Sequence, residues 1–528
     1  MKLPAEIMTD AARGRLSPAV TPVPLPELAG RLHEAVHKGA RVGLFTARRR
    51  PGSGDPGRAG DRGISLETLV IDPAAGVVSL WETALPPGAR DYPSLTTTIP
   101  QMHWFERAVH DFFGVVPMGH PRFKSLILHD SWPLGYHPLR EVPCAIPDDE
   151  SPRRSYEFLT VKGEGVYEVP VGPIHAGIIE PGHFRFSCLG EAIHNLEIRL
   201  GYVHRGVEET LTRVPWKQTR FVAEAASSDT TVANALAHSL ALEQILKIHP
   251  PPGAPELRAI ALEMERIASH ISDLGGICGD IGFTAGAAIF GRLRGAALGL
   301  LERLTGARFG AAYILPGGVS RPLSAEMRDN LLRQADCVSE EFARAEPLLL
   351  ENSGALERMT GTGWVRHSLA REFGLVGPAG RASGIDYDVR RALRQEPYNS
   401  LEWEVAGADS GDVLARAGIR VDETRTSLSM VSALLRRLNA RERPEALRLE
   451  LPAGLPPDSV GAGIVESWRG ELVHLIFTDG AGLIDRCSIK DPSFNNWTGL
   501  AVAVRGELLS DFPLCNKSFG LSYSGNDL

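Results

Sequence analysis

The sequence predicts an α+β protein in two parts: a small α+β domain, then a larger helix-rich domain with a peripheral β-sheet. Three observations lead to this fold class. Short strand-like apolar runs come first, long apolar repeats at helical spacing follow, and strand-like runs return near the C-terminal end. A polar stretch bounded by prolines, residues 147–154, separates the first two patterns. With 528 residues, the chain is long enough for more than one domain.

The first domain is predicted over residues 25–147, with a linker over 148–160. Strands are predicted over residues 41–47 and 64–72, where apolar and β-branched side chains cluster. The Gly-, Pro- and Arg-rich stretch between them, residues 48–63, predicts a loop that does not pack.

The second domain is predicted over residues 161–528. Its sequence alternates between short β-like runs and long stretches with helical spacing of apolar residues. The predicted strands cover residues 165–171, 183–188, 196–200, 461–468 and 472–478, the last two joined by a turn at 469–470. The predicted helices cover residues 216–248 with a break near 225–229, then 256–274, 285–304, 324–350, 427–438 and 500–509.

Composition excludes several classes of protein. The formal net charge is −8 and the pI is about 6.1, which argues against a general nucleic-acid binder. No apolar run has the length of a membrane span, and the N-terminal residues do not resemble a secretory signal. The six cysteines form no CxxC pair, so we expect buried thiols in a reducing compartment and neither a metal nor an Fe–S cluster bound by this chain alone.

Two polar helical faces are candidate sites. Residues 103–114 place Glu106 and His110 one helical turn apart, which fits either an acid–base or metal site or, as we favour, a polar surface that docks a partner. Glu263, Arg266 and His270 share one face of a later helix and could be a solvated or an ion-paired face.

Several motifs carry a resemblance to a known family. Residues 201–209, Gly-Tyr-Val-His-Arg-Gly-Val-Glu-Glu, resemble the quinone-site (D-type) subunit of complex I and the large subunits of group 4 [NiFe]-hydrogenases. Residues 103–121, which end in Gly-His-Pro, resemble the C-type subunit of NADH-quinone oxidoreductase, a structural partner without a cofactor. Together they imply a fused C/D-like chain of the hydrogenase-4-like or energy-converting hydrogenase-related kind, with a [NiFe]-hydrogenase large-subunit-like second domain. Taken alone, His204 and Arg205 would be a surface salt-bridge cluster.

The hydrogenase cysteines are absent from this chain. By the resemblance, the first CxxC positions hold Thr231 and Asn234, and the second hold Ser522 and Gly525. Nickel and low-spin iron need thiolate ligands, so no Ni–Fe centre is expected. The four positions are instead expected to line the cavity.

The quinone ligands of complex I also differ. The family's hairpin histidine aligns with Pro181, two residues from His183, and its tyrosine aligns with Ser228. His183 and Ser228 are therefore the cavity-lining residues that the resemblance assigns to head-group binding.

The resemblance assigns catalytic roles to His204, Arg205, His270 and Asp280, with protonation changes expected at Asp280 and His270. Asp280 lies in an Asp-Ile-Gly that matches an aspartate at the quinone cavity. We expect it to be partly buried beside the Thr231/Asn234 segment, where desolvation raises a carboxyl pKa. The alternative is an N-cap for the next helix.

The function that the resemblance implies is a redox subunit of a membrane-bound complex I-like or hydrogenase-4-like oxidoreductase. The donor would be NAD(P)H or a related donor at the level of the complex. Electrons would pass from an Fe–S cluster in a small partner subunit to a quinone or other acceptor, with coupling to ion translocation by membrane subunits. The chain would sit peripherally at the cytoplasmic side of the inner membrane. The alternatives are a non-catalytic scaffold subunit and an active [NiFe]-hydrogenase.

Overall fold

The computed structural model describes residues 20–50, 63–140, 152–176, 179–438 and 447–528. Helices and several small sheets alternate along the chain, which confirms the α+β class. Most of the predicted loop at 48–63 and part of the predicted linker at 148–160 lie outside the described residues.

The N-terminal part is a four-stranded sheet with two helices. Its sheet has the strand order β1-β4-β3-β2, in which β1 is parallel to β4 and the other pairs are antiparallel. Both strands predicted here are present. The elements are β1 (Val20–Pro22), α1 (Leu25–His37), β2 (Arg41–Arg49), β3 (Ile64–Asp72), β4 (Val77–Ala84), β5 (Asp91–Pro93), α2 (His103–Phe113) and β6 (Val116–Met118).

A three-stranded antiparallel sheet and three helices follow. The break predicted near residues 225–229 is confirmed, because one helix ends at Glu224 and the next begins at Thr231. The elements are β7 (Val166–Val171), β8 (His183–Leu189), β9 (Ala192–Arg199), α3 (Val207–Arg213), α4 (Thr219–Glu224) and α5 (Thr231–Leu246).

Long helices form the centre of the second part. The helix predicted over 427–438 begins earlier, where the Asp412 carboxylate accepts a hydrogen bond from the backbone N–H of Ala415 at 2.8 Å and caps it. The elements are α6 (Ala254–Asp280), α7 (Thr284–Thr305), β10 (Ile314–Leu315), β11 (Gly318–Val319), α8 (Ala325–Leu350), α9 (Ser353–Met359), α10 (His367–Glu372), α11 (Gly377–Arg381), α12 (Val389–Ala392) and α13 (Val413–Arg437).

The C-terminal part adds another three-stranded antiparallel sheet and three helices. The helix predicted over 500–509 is wrong in position, since the helix begins at Ser493 and ends at Ala503. It ends there because the chain turns at Gly506, whose N–H donates to the Ile193 carbonyl on β9. The elements are β12 (Val460–Ser467), β13 (Gly470–Thr478), β14 (Ile484–Lys490), α14 (Ser493–Ala503), α15 (Phe512–Phe519) and α16 (Tyr523–Asp527).

Hydrophobic cores organise these elements, and two of them bear on the relation between the two parts. One surrounds α5, α6, α7, α8 and α13. The other joins the N-terminal sheet to the C-terminal sheet, because Ala462, Ile464, Val473 and Leu475 pack in the same core as the side chains of β2 and β3. The first part is therefore packed onto the second through a shared core. Within the described residues, no helix combines the length and apolarity needed to cross a membrane.

Candidate functional site

Two distant segments meet at the start of α5. The Oγ atoms of Ser227 and Ser522 lie 3.1 Å apart, which joins the turn before α5 to the turn before α16. Ser522 also caps α16 by accepting from the backbone N–H of Gly525 at 2.9 Å. Residues 227–234 and 520–527 therefore meet as the two walls of one mostly buried polar site, which we call the α5/α16 cleft.

Arg469 holds the two walls of the α5/α16 cleft together. It lies in the turn between β12 and β13 and donates to both carboxylate oxygens of Asp229, at 2.7 and 2.6 Å. Its Nε donates to the Gly520 carbonyl on the other wall. The guanidinium carbon also lies 3.8 Å from the centroid of the Trp468 ring. The cleft thus contains a fixed, buried positive charge, with Asp229 on its solvent side.

The four positions aligned with hydrogenase cysteines line this cleft or its floor. Thr231, Asn234, Ser522 and Gly525 are all buried. The Asn234 amide is held at both ends, since Nδ2 donates to the Thr230 carbonyl at 2.9 Å and Oδ1 lies 3.0 Å from a ring nitrogen of His474.

Asp491 occupies the space beside Gly525. A Cβ atom at position 525 would lie 2.5 Å from Asp491 Oδ2 and 2.9 Å from Ser522 Oγ, so a side chain there requires Asp491 to move. Asp491 Oδ1 accepts from the Ser493 N–H, whereas Oδ2 is buried with no hydrogen-bond partner among the described residues. Burial raises the pKa of Asp491, although Arg469 acts in the opposite direction. A carboxyl group therefore stands where a fourth thiolate would need room.

Glu265, on α6, holds the first turn of α5 in place. Its carboxylate accepts from the backbone N–H groups of Val232 and Ala233, at 2.7 and 3.2 Å. Burial raises the pKa of Glu265 to about 8, against the lowering effect of these two N–H groups. Its protonated and ionised forms are consequently close in free energy near neutral pH.

His204 and Arg205 attach the C-terminal segment to the rest of the fold. His204 Nδ1 lies 2.7 Å from the Asp527 carbonyl oxygen. Arg205 donates to the carbonyls of Ala225, Ala226 and Ser524 at 2.7–3.0 Å. The salt-bridge interpretation is therefore replaced by a set of main-chain contacts. His204 also lines a solvent-open pocket between α2 and the C-terminal segment.

The predicted polar face of α6 is buried and densely paired. Glu263 accepts from Arg266 at 3.0 Å, Arg390 at 2.9 Å, Tyr398 at 2.8 Å and Ser427 at 2.6 Å. Burial would raise the pKa of Glu263, but Arg390 and Arg266 outweigh it and bring the pKa to about 2.

His270, further along α6, lies 2.8 Å from Glu423 Oε2. Burial lowers the His270 pKa, against the raising effect of this carboxylate. The α6 face is ion-paired, as one interpretation of the sequence predicted, but it is not solvated, because all three of its side chains are buried.

The same network extends to the β12–β13 turn. Arg381 bridges Glu423, at 2.9 Å, and Glu466, at 2.8 Å, while Arg266 donates to the main-chain carbonyls of Glu466 and Ser467. Burial and the nearby Asp388 raise the pKa of Glu466 to about 7. The network therefore contains a carboxyl group that can hold a proton near neutral pH, two residues before the turn that begins with Trp468.

Asp280 lies differently from expectation. It ends α6 but is exposed, and it does not cap α7, whose N-cap is Phe283. It also lies 15 residues beyond Glu265, about 22 Å along the helix from the start of α5. Desolvation still raises its pKa, as expected, against the lowering effect of Lys517. The expected place beside the Thr231/Asn234 segment and the capping alternative are therefore both wrong for this chain.

His183 lies in the β7–β8 hairpin, whereas Ser228 belongs to the first wall of the α5/α16 cleft. His183 is buried, and its ring nitrogens face Gly172 and Arg185 of its own hairpin. Ser228 is exposed at the mouth of the cleft.

The sequence comparisons agree on one family. The profile of the respiratory-chain NADH dehydrogenase 49 Kd subunit matches residues 280–453 and 452–527, and that of the 30 Kd subunit matches residues 73–143. Formate hydrogenlyase subunit 5 of Escherichia coli (strain K12) is 32% identical over 442 residues, which cover 83% of this chain and 77% of that protein. The chain belongs to the complex I 30/49 kDa and group 4 hydrogenase family.

Other family members give the same picture. Hydrogenase-4 component G of Escherichia coli (strain K12) is 30% identical, over 83% of this chain and 76% of its own length. NADH-quinone oxidoreductase subunit 4 of Thermus thermophilus is 30% identical, over 71% of this chain and 95% of its own length. A chain in the structure of the membrane-bound sulfane sulfur reductase, an archaeal respiratory membrane complex, shares the fold with a TM-score of 0.65 at 24% identity. That match covers 69% of this chain and 99% of the other.

Several residues of the cleft were missed by sequence reasoning. Asp229, Arg469 and Asp491 do not belong to the family motifs quoted above. The sequence placed Arg469 only in a hairpin turn, and Asp491 directly after residues 486–490, a further stretch that resembles the D-type subunit. One signal could have identified such residues. It is a charged residue that lies directly beside a family motif and has no role in that motif.

A side chain at position 525 tests whether Asp491 occupies the space beside Gly525. We expect Gly525→Ala to destabilise the protein by about 1–3 kcal/mol, because the new Cβ forces the Asp491 carboxyl to move. In Asp491→Ala/Gly525→Ala, the cost of the second substitution should shrink, giving a coupling of about 0.5–3 kcal/mol. Urea unfolding of the four proteins measures this coupling, and strictly additive effects would contradict it.

Proposed function

We propose that this chain is a redox subunit of a membrane-bound complex I-like or hydrogenase-4-like oxidoreductase. Electrons from an Fe–S cluster in a neighbouring small subunit would reach a quinone or another small acceptor at the α5/α16 cleft. The donor at the level of the complex would be NAD(P)H or a related compound, and electron transfer would be coupled to ion translocation by membrane subunits. The chain would lie peripherally on the cytoplasmic side of the inner membrane. Its similarity to subunits of formate hydrogenlyase and of NADH-quinone oxidoreductase supports this assignment.

The observation that carries the proposal is the chemistry of the cleft walls. The four thiolate positions hold two hydroxyl groups, an amide and a glycine, none of which is a soft ligand for nickel. Asp491 also takes the space beside Gly525. A Ni–Fe centre does not fit these residues, so we derive no hydrogen chemistry at this site. We propose that the cleft serves an organic acceptor instead.

Charged and protonatable groups around the cleft suit such an acceptor. A quinone takes up electrons and protons when it is reduced. The Arg469 guanidinium is a buried positive charge fixed by Asp229, and it would favour negative charge in the cleft. Asp491, Glu265 and Glu466 all have raised pKa values, so each could hold or release a proton during turnover.

The residues at the two aligned quinone-ligand positions favour a second candidate. Because these positions hold Pro181 and Ser228 instead of the family's histidine and tyrosine, a scaffold role that keeps only the fold and partner surfaces is the alternative. The two functions differ in whether residues of the cleft affect turnover of the assembled complex.

The test uses the intact membrane complex with wild-type chain or with Arg469→Lys. Lysine keeps the charge but cannot donate in the two-pronged geometry to Asp229. We expect assembly to persist, while reduction of a short-chain quinone falls at least about tenfold, in the range of other preorganised charges at active sites. Arg358→Lys, at an exposed ion pair with Asp511, is the matched control and should turn over normally. Equal turnover of Arg469→Lys and wild type would favour the scaffold, and stoichiometric nickel in the complex would favour a hydrogenase.

Asp280 provides a separate test of coupling. Because Asp280 is exposed in this chain, we expect Asp280→Asn to leave the unfolding midpoint nearly unchanged. If the carboxylate couples to a membrane subunit, ion movement should fall while acceptor reduction and assembly remain. The measurement compares turnover with ion uptake in membrane vesicles, and full coupling in the variant would reject a role for Asp280.

A further inference from the structure

A second cluster lies one helical turn deeper than Asn234, outside the α5/α16 cleft. It consists of His238 on α5, His474 on β13 and Cys487 on β14. One potential ligand atom from each lies within 4.8 Å of the others. Strand pairing explains the convergence, because Ile476 faces Cys487 and His474 faces Ile489, which puts His474 and Cys487 on one face of the sheet. The His238 and His474 rings lie 5.7 Å apart, centroid to centroid.

Hydrogen bonds fix the tautomer of the first histidine. Thr219 Oγ1 donates its proton to the Trp216 carbonyl at 2.6 Å, so it can only accept from His238 Nε2, which lies 2.7 Å away. The proton of the His238 ring is therefore on Nε2. Its Nδ1 carries a lone pair and is buried with no hydrogen-bond partner among the described residues.

The second histidine is fixed in the same way. Asn234 Nδ2 donates to the Thr230 carbonyl, which turns Oδ1 toward His474 Nε2 at 3.0 Å. The amide oxygen accepts, so the His474 ring also carries its proton on Nε2. His474 Nδ1 is likewise buried, and no described residue bonds to it. A ring nitrogen bonded to a neutral acceptor, with the other nitrogen free, is the arrangement found in histidine metal ligands.

We propose that His238 Nδ1, His474 Nδ1 and the Cys487 thiolate bind one soft d¹⁰ metal ion, Zn²⁺ or Cu⁺. All three side chains are fully buried. Two unpaired lone pairs in the core would each cost about 1–3 kcal/mol, a cost that a metal bond removes. Imidazole and thiolate are preferred ligands of both ions.

Distance and charge are compatible with binding. Metal–nitrogen bonds of about 2.0–2.1 Å and metal–sulfur bonds of about 2.3 Å place ligand atoms about 3.3–3.8 Å apart. The potential ligand atoms lie within 4.8 Å of one another, so a separation at that limit must close by about 1–1.5 Å. Binding replaces the S–H bond of Cys487 by a metal–sulfur bond and releases the proton to solvent. One thiolate with two neutral imidazoles balances the charge of Cu⁺, whereas Zn²⁺ leaves one positive charge in the core.

The proposed ion would fasten α5 to the C-terminal sheet directly below the cleft. His238 and Asn234 lie on the same face of α5, one turn apart, and His474 contacts Asn234. The bound ion would therefore set the position of Asn234 at the cleft floor. This inference does not depend on the redox function proposed above.

The test measures metal in the purified full-length chain by elemental analysis, after loading the metal-free protein anaerobically with Zn²⁺ or with Cu⁺. We expect one equivalent of one of these ions per chain, reduced to background in Cys487→Ser and in His474→Gln. Cys188→Ser is the matched control, since Cys188 is also a fully buried strand cysteine but lies in β8. Thr219→Val should weaken binding about 10–100-fold, because it removes the hydrogen bond that orients His238.

Wild-type protein alone also decides the proposal. Cobalt(II) should give a thiolate-to-metal charge-transfer absorption in wild type and in Cys188→Ser, but none in Cys487→Ser. Wild-type protein that takes up neither zinc nor copper in stoichiometric amount overturns the proposal, even if variants fail to fold. Equal metal content in Cys487→Ser and wild type overturns it as well.

Discussion

Replacing Arg381 with methionine is expected to destabilise the protein by about 3–5 kcal/mol, the usual cost of removing one partner from a buried ion pair. Arg381 is 1% exposed and donates to Glu423 and Glu466. Methionine fills a similar volume but leaves both carboxylates without this cation. The urea midpoint of unfolding measures the effect.

The network offers a matched control and a diagnostic double variant. Arg344→Met removes an arginine from an exposed pair with Glu340, where the guanidinium side chain is 77% exposed, and should leave the midpoint nearly unchanged. The double variant Arg381→Met/Glu466→Gln should recover part of the lost stability, because it removes one of the two carboxylates that no longer have Arg381 as a partner. A small effect of Arg381→Met, no larger than that of Arg344→Met, would contradict the prediction.

Replacing Gly463 with alanine is expected to cost about 3 kcal/mol, the upper end for overpacking in a core. A Cβ at this position in β12 would lie 1.9 Å from the Ala237 carbonyl oxygen and 2.7 Å from its carbon. These are backbone atoms of α5, so the helix itself must shift. Because α5 carries Thr231 and Asn234, the variant should also alter the cleft, measured as lower turnover of the assembled complex alongside a lower urea midpoint.

Gly291→Ala is the control for this substitution. Gly291 lies on α7 and is exposed, and a Cβ added there would meet no other described atom within 4 Å. Alanine there should stabilise the protein slightly, by about 0.5–1 kcal/mol, since it favours the helix. Equal effects of the two substitutions on the urea midpoint would contradict the prediction that the close contact between β12 and α5 excludes a side chain at position 463.

Sequence motifs predicted the α+β class and which segments would meet. The contact between Ser227 and Ser522 follows from the family resemblance, which aligned the two pairs of missing cysteines. The break before Thr231 was visible as a run of small and polar residues. Both predictions rest on patterns of a few adjacent residues. Such local patterns can be recognised in a single sequence.

The charges around the cleft could not be found in the same way. Glu466 and Arg381 are 85 residues apart and are paired only by the fold. Asp491 matters because Gly525 is close to it, which no spacing in the sequence reports. The predicted position of Asp280 was wrong although its motif is local. Its surroundings depend on which parts of the fold cover the end of α6, and the motif does not record this.

The shared core between the N-terminal sheet and β12–β13 has a consequence for assembly. Two separate chains with this interface would have to find each other by diffusion, so the complex would depend on their concentrations. One continuous chain makes the same association intramolecular, which raises the effective concentration of each part for the other. Dilution would then separate this protein from its partner subunits without separating its own two parts, which confers a fixed one-to-one stoichiometry on them.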